Sequence, residues 1–425
     1  MTELRGAIDR FAAWLERSGD GESFDPYDLW GTRYGLFSRR LYYAKHPLGV
    51  PLVAPLLLAE ILCPSVRGLF VGKQRFATAD AQLALAFLNL HALQVEPLAL
   101  RAVGTSAAKE PATPRSARRS TSGFLAQAEK FCGHLLRTSI PGYRGHCWGY
   151  PFDWQNNHGL WKRDTPFITA TPYCFEAFLA LHDATGERRH LEVAESIARF
   201  VQEDLHDTPT SADAAAGSYS PIDHSQVLNA SAYRAMVLFE AARRFDVPRH
   251  RDTAQRNLNF ILQNQREDGA WLYALDHPGD RFIDHFHTCF VLKNLVKINR
   301  QFNSDAVRAA IVKGYEYYRR ELFDAEGLPK SFSIRPRTQL VRLEMYNFAE
   351  SITLGALLRE SIPAAFAHAQ ELAAWLVARH QLPDGHFTTR VYLGGWRHTF
   401  PFVRWPQSQI FYALTNLWAA DGVEK

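Results

Sequence analysis

The chain has no large surplus of either charge. Across 425 residues, 48 Lys and Arg stand against 44 Asp and Glu, a formal net charge of +4 with a pI near 8.7. That balance is too mild for a nucleic-acid footprint, although an anionic small molecule or glycan is compatible with it. Cysteine is sparse and unpatterned: Cys63, Cys132, Cys147, Cys174 and Cys289 form an odd set with no C-x-x-C spacing, which reads as reduced thiols. No apolar run is long enough to span a bilayer. The longest, residues 50–63, is broken by Pro51, Pro55 and Glu60. Residues 1–18 lack the apolar core and small-residue cleavage site of a signal peptide. Together these absences predict a cytoplasmic protein without a membrane span.

What is present is a globular composition, 47% apolar and 13% aromatic, rich in Trp and Tyr. Rings with polar edges serve both as core and as platforms for sugars. Leu4, Ile8, Phe11, Ala12 and Leu15 fall on one side of a first helix, which the Gly19-Asp20-Gly21 break ends. Further helical segments cover 37–43 and 79–93. Residues 101–122 turn small and basic, with Lys109, Arg115, Arg118 and Arg119 among Pro, Ser, Thr and Ala, and predict a flexible basic loop.

From Leu125 onward the chain repeats with a period of about sixty residues. Each unit begins with an amphipathic helix, at 125–136, 191–201, 254–262, 306–318 and 365–376. A Gly-aromatic turn follows, then polar residues, then a helix apolar nearly all round, such as 230–242 or 351–358. A helix without a polar face is an inner helix, so each unit is an outer–inner hairpin. Five units are clear, and the region before Val95 has room for more. Six hairpins is the economical count. The expectation is an all-α, single-domain (α/α)6 toroid over residues 1–425, with short β-hairpins in the loops at one mouth. Asp153, Asp223, Asp284, Glu344 and Trp405 recur at intervals of 70, 61, 60 and 61 residues between turn and inner helix. Equivalent positions in a ring share one end, so these loops should converge.

The densest chemistry lies in 148–158, where Trp148, Tyr150, Phe152 and Trp154 accompany Asp153, Gln155 and His158. Rings on sugar CH faces with acid and amide groups on hydroxyls would make a subsite; a pinned aromatic loop is the structural alternative. Asp223-His224 and Asp284-His285 occupy the same register, with His287 two residues on. Asp223-His224-Ser225 is not a triad, because Ser/His/Asp catalysis needs spatial convergence and no G-x-S-x-G is present. Asp284, His285 and His287 lack H-E-x-x-H and any further obvious ligand in the segment, and their His-x-His spacing is loose, so neither metal nor cofactor is expected. Glu344, Tyr346 and Asn347 open the next inner helix, and Glu344 could instead pair with Arg335, Arg337 or Arg342. Arg404, beside Trp405, could hold a substrate carboxylate or neutralise Glu344.

Two schemes fit these residues. Hydrolysis needs one protonated and one ionised carboxyl across a glycosidic bond, for which Asp153 and Asp284 are the leading pair, with Asp223 and Glu344 in reserve. Uronyl C5-epimerase or lyase action needs a base, an opposing acid and a neutralised carboxylate, which His285, His287, Tyr150, Tyr346, Asn347 and Arg404 could supply.

With its hairpin period and the phrase Asp183-Ala184-Thr185-Gly186-Glu187-Arg188, the chain resembles the (α/α)-toroid sugar enzymes, the group of N-acylglucosamine 2-epimerases, unsaturated glucuronyl hydrolases and glucuronyl C5-epimerases. Through 148–155 and 282–288 it is also similar to uncharacterised proteins of bacterial polysaccharide-biosynthesis clusters. The resemblance implies the toroid fold of sugar enzymes and transfers no catalytic assignment; taken with the residues above, the reading is a carbohydrate-active enzyme working on an oligosaccharide or polysaccharide with acidic sugars, hydrolysis leading over uronyl epimerase or lyase action. A non-catalytic glycan-binding protein of polysaccharide assembly is the alternative from another class. Gln265-Arg266-Glu267-Asp268-Gly269-Ala270-Trp271 also fits the Q-x-x-x-G-x-W repeat of triterpene cyclases, with a degenerate copy at 381–387. There the motif is a clasp between helices, and the D-x-D-D acid motif of those enzymes is missing.

Overall fold

A computed structural model describes residues 2–103, 115–156, 158–336 and 339–422, with backbone alone over 95–103 and 115–122. Six inner helices, α4 (Ala77–Val103), α6 (Thr171–Thr185), α8 (Leu228–Phe245), α10 (His285–Phe302), α12 (Met345–Leu357) and α14 (Ser408–Gly422), pack each on the next, and α14 returns to α4. Outside them stand α1 (Thr2–Arg17), α5 (Arg115–Thr138), α7 (Arg188–Glu203), α9 (Pro248–Gln263), α11 (Asp305–Glu321) and α13 (Pro363–His380). This is the expected (α/α)6 toroid, and the unassigned sixth hairpin is α1 with α4.

The two layers follow from side-chain patterning. In α7, Ala194, Ile197 and Val201 are buried on one stripe while Glu192, Glu195 and Arg199 face out. In α12 every residue from Met345 to Ala356 is buried, as an inner position demands. Residues 104–114 of the expected basic loop lie outside the described residues; α4 reaches Val103 and α5 starts at Arg115 on either side.

Among the described residues the four connections from inner to outer helices are short, and Gly186, Asp246 and Asn303 cap three of them in the left-handed conformation at φ of 71°, 53° and 49°. Connections from outer to inner helices are long and all lie at the opposite end. Within single connections, β1 (Trp154–Asn156) pairs β2 (Gly159–Trp161) and β3 (Asp207–Pro209) pairs β4 (Ala215–Gly217). Neighbouring connections also join: β5 (Ile283–Asp284) to β6 (Phe332–Ile334), and β7 (Val341–Glu344) to β8 (Arg390–Tyr392), which β9 (Arg397–His398) extends. The first connection carries α2 (Arg33–Tyr43) and α3 (Gly49–Leu62). Among the described residues, no helix is long and apolar enough to cross a membrane.

Both glutamine–glycine motifs are clasps. Gln265 Nε2 donates to the carbonyls of Gly269 and, on the next outer helix, Ala310, both at 3.0 Å. Gln381 Nε2 repeats this with Gly385 at 3.0 Å and Ala7 of α1 at 2.8 Å, so α1 takes the place of a next outer helix and closes the ring.

Candidate active site at the mouth

Asp284 is the N-cap of α10. Its Oδ1 accepts the His287 backbone N–H at 2.9 Å, the bond that an N-cap makes to the third helical residue. The same turn brings the His287 ring over the carboxylate, with Nδ1 2.7 Å from Oδ2. A carboxylate only accepts, so Nδ1–H donates and the lone pair of a neutral ring resides on Nε2. Asp284 is 3% exposed, whereas the His287 side chain retains 21% exposure. This buried acid with a half-buried imidazole is an orienting dyad.

Tyr273 packs on the His287 ring at 4.4 Å, and burial pushes its phenol well above the usual range. A small cavity beside the dyad is lined by Asp284, His287, Thr288, Tyr273, Trp271 and Asn229. Asn229 is 1% exposed, and neither its amide nitrogen nor its oxygen has a hydrogen-bond partner.

Two other charged groups near the mouth, Glu344 and Arg404, are ion-paired. Glu344 accepts from Arg390 Nε at 2.6 Å, across β7 and β8, and not from Arg335 or Arg342; Arg337 lies outside the described residues. Burial raises its pKa against the pull of Arg390 and, more weakly, of the Trp405 side chain and the Tyr346 backbone; Oε1 makes no hydrogen bond within normal geometry. Arg404 is held by Asp25, with Nη2 2.9 Å from Oδ1 and Nε also bonded to the carboxylate. Although burial works against its charge, Asp25 raises the guanidinium's pKa. Arg404 is thus neither Glu344's partner nor an open carboxylate site. Its guanidinium lies over the Tyr150 ring at 5.0 Å and the Trp405 ring at 5.5 Å. Deeper on the axis, Lys293 of α10 bonds Glu350 of α12 and lies 3.4 Å from Tyr173 Oη of α6. Lys297 of α10 likewise reaches Glu176 of α6, so ion pairs fill the ring below the mouth.

Several expected site residues have other roles. His285 is fully buried and faces the outer layer: Nδ1 donates to the Leu322 and Lys330 carbonyls at 3.2 and 3.1 Å, and Nε2 lies 2.7 Å from Tyr318 Oη. Asp284 therefore pairs with His287 and not with its sequence neighbour. Asp223 is a turn cap, Oδ1 accepting from Tyr219 N, Ser225 N and Ser225 Oγ, while Oδ2 is buried and unpartnered. His224 is exposed and stacks on His206 at 4.6 Å, so the parallel with Asp284 is one of register only. Asp153 holds its own hairpin, accepting from Arg163 N at 2.7 Å with Lys162 Nζ at 3.4 Å. Trp148 is a core residue, 1% exposed, its Nε1 donating to the Leu135 carbonyl. Gln155 is buried and donates to Asn156 O. His158 reaches across to Asp280 at 2.6 Å, a bond that raises the imidazole's pKa and ties the β1–β2 hairpin to the connection before α10. Asn347 is fully buried, 3.5 Å from Ser331 Oγ. Tyr346 is buried under Trp405, ring on ring at 3.9 Å. Tyr150, Trp154 and Trp405 are half-buried.

Asn229, Tyr273, Asp25 and Arg390 carry no signal in the repeat. Lys293 does: a Lys set among Phe290, Val291, Leu292, Leu295 and Val296 of an inner helix requires a buried counter-charge, and Glu350 offers one on the next inner helix.

No family model matches the chain, and no curated protein matches it in sequence. The fold is shared with solved sugar enzymes. Cellobiose 2-epimerase from Bacillus thermoamylovorans superposes with a TM-score of 0.58 at 9% identity, over 81% of this chain and 87% of that one. An unsaturated glucuronyl hydrolase specific for heparin gives 0.57 at 12%, covering 100% and 97%. A D-mannose isomerase gives 0.56 at 10%, covering 81% and 86%. All three likenesses establish the toroid, as the hairpin period implied.

Proposed function

We propose that the chain is a carbohydrate-active enzyme that transfers a proton at a sugar carbon, as an epimerase or isomerase, with His287 as the acid–base group. The Asp284–His287 dyad carries this reading. A neutral imidazole oriented by a buried carboxylate can take the proton from the carbon beside an open-chain sugar carbonyl onto Nε2. Asp284 stabilises the resulting imidazolium. In isomerisation the proton returns to the former carbonyl carbon while the hydroxyl proton of the deprotonated carbon passes to the former carbonyl oxygen; in epimerisation it returns to the same carbon after the enediolate has turned its other face to Nε2. Tyr150, Trp154 and Trp405 would be the sugar platforms, and Asn229 a donor and acceptor for a hydroxyl. With Arg404 committed to Asp25, an acidic sugar is not required. Two of the similar structures, the cellobiose 2-epimerase and the D-mannose isomerase, bear names of this reaction class.

Glycosidic hydrolysis is a second reading, favoured by Glu344: a carboxyl whose pKa is raised by burial, with one oxygen making no hydrogen bond within normal geometry, suits a general acid. Incubation in deuterium oxide with mannose, glucose, cellobiose and defined uronic-acid oligosaccharides, followed by NMR and mass spectrometry, separates the two. Deuterium should enter next to the carbonyl carbon. Exchange should vanish in His287→Asn and fall about 10²–10⁴-fold in Asp284→Asn, which retains a capping side chain. A mass gain of one water, lost in Glu344→Gln, supports hydrolysis; deuterium at C5 of a uronate moves the chemistry to uronyl epimerisation. Unchanged sugars across the panel would remove the catalytic readings and leave glycan binding.

A further inference from the structure

Helix α3 is apolar on every side, yet it is not buried. Its one ionisable residue, Glu60, is 5% exposed and points inward, bonded to Arg67 and within 3.8 Å of Arg390 and His398. Away from that contact Val50 is 65% exposed and Leu58 55%, and the turn that follows leaves Leu69 80% and Phe70 68% exposed. A helix without a polar face normally lies in a protein core or in lipid, and exposed apolar patches of this extent mark interaction surfaces.

The segment that carries this face is cationic. Between Thr32 and Gln74 stand six Lys and Arg against one acid, Glu60, which is buried with Arg67. Arg33, Arg40, Lys45 and Lys73 are exposed with no exposed acid among them. The segment's excess of five exceeds the +4 of the whole chain, so the remainder is slightly acidic. Position matters too. Of the 18 large apolar side chains exposed among the described residues, only Leu136, Phe302 and Val312 lie on toroid helices; the other 15 are in outer-to-inner connections, all at the mouth end. Among the described residues, that end carries most of the exposed apolar side chains.

We infer that the α2–α3 excursion docks the mouth face on an anionic lipid surface. At 14 residues, or about 21 Å, α3 is too short to span a hydrocarbon core of about 30 Å. It would lie in the interface, its Val and Leu side chains in the acyl boundary and the Arg and Lys groups on lipid phosphates. A second protein copy would cover the apolar area equally well, but copies placed face to face would bring the cationic rims together. The anionic bilayer matches both features.

The inference does not depend on His287 chemistry. Its test is flotation of the full-length chain with phosphatidylcholine vesicles, with and without phosphatidylglycerol. Binding should require phosphatidylglycerol and weaken with added salt. The bound fraction should fall about tenfold or more in Leu57→Ser/Leu58→Ser and lose its anionic preference in Arg40→Glu/Lys73→Glu, with thermal midpoints unchanged because these side chains face solvent. No binding by the unmodified chain, or binding indifferent to both variants, overturns the proposal. So does a dimer of the unmodified chain, seen by light scattering without vesicles, that Leu57→Ser/Leu58→Ser converts to monomer.

Discussion

His285 and His287 stand two residues apart on one helical turn and meet opposite surroundings. Successive positions on an α-helix are turned by about 100°, so the first faces the outer layer and the second the mouth. Burial lowers the pKa of His285 to about 3, the Leu322 and Lys330 carbonyls opposing it only in part. The ring is neutral when folded but titrates near 6.5 when unfolded. Its contribution is therefore fully present above about pH 6.5, declines as pH falls, and bottoms out near pH 3, a total of about 5 kcal/mol. In urea titrations, the stability gap between the unmodified chain and His285→Gln should narrow steadily from pH 7 to pH 4; a gap independent of pH would contradict the assignment. The sequence made Asp284 and His285 look like the pair because they are adjacent. The capping rule, which links an N-cap to its third helical residue, points to His287 and needs no structure. Asp25 and Arg404 could not be paired in advance, because 379 residues separate them and no repeat relates them.

At the scale of elements, the hairpins were legible because inner and outer helices differ in how many of their faces are apolar. What connects the loops was not. The pairing of β5 with β6 and of β7 with β8 joins segments about fifty residues apart, and strands of two to four residues carry too little pattern to show it. Lys293 of α10 and Glu350 of α12 show an energetic consequence of burying such helices completely. Burial works against the ammonium, and the Glu350 carboxylate outweighs it, keeping Lys293 charged. Removing one partner leaves the other uncompensated. Glu350→Gln should destabilise the fold by about 3–5 kcal/mol, whereas Lys293→Met/Glu350→Leu should recover much of that loss, since apolar side chains of similar size often replace a buried pair without cost. Urea midpoints for the two variants decide the matter, and a double variant worse than the single would mean the pair orders the axis in some further way.

For the whole molecule, the question is whether the ring is one cooperative unit or a row of hairpins with a weak seam. The two clasps allow a matched comparison. Gly269 and Gly385 both adopt positive φ, +96° and +110°, and a Cβ on either would stand 2.3 Å from a carbonyl oxygen of the next outer helix, Lys313 and Arg10 respectively. The first clasp lies inside the array; the second joins the last outer helix to the first, where Phe11 also stacks on Phe411 at 4.8 Å. Alanine at either site combines left-handed strain with displacement of a packed helix, an expected loss of about 2–4 kcal/mol. If closure makes a single cooperative domain of residues 1–425, Gly269→Ala and Gly385→Ala should lose similar stability, and each should unfold in one transition that coincides by circular dichroism and tryptophan fluorescence. A seam that opens on its own would appear only in Gly385→Ala, as an early fluorescence change at Trp14, which packs against His386, ahead of the loss of helix. In a solenoid with free ends that early step would be the rule. In this toroid α14 packs on α4 as well as on α12, so the seam is supported by two layers and the single transition is the expected result.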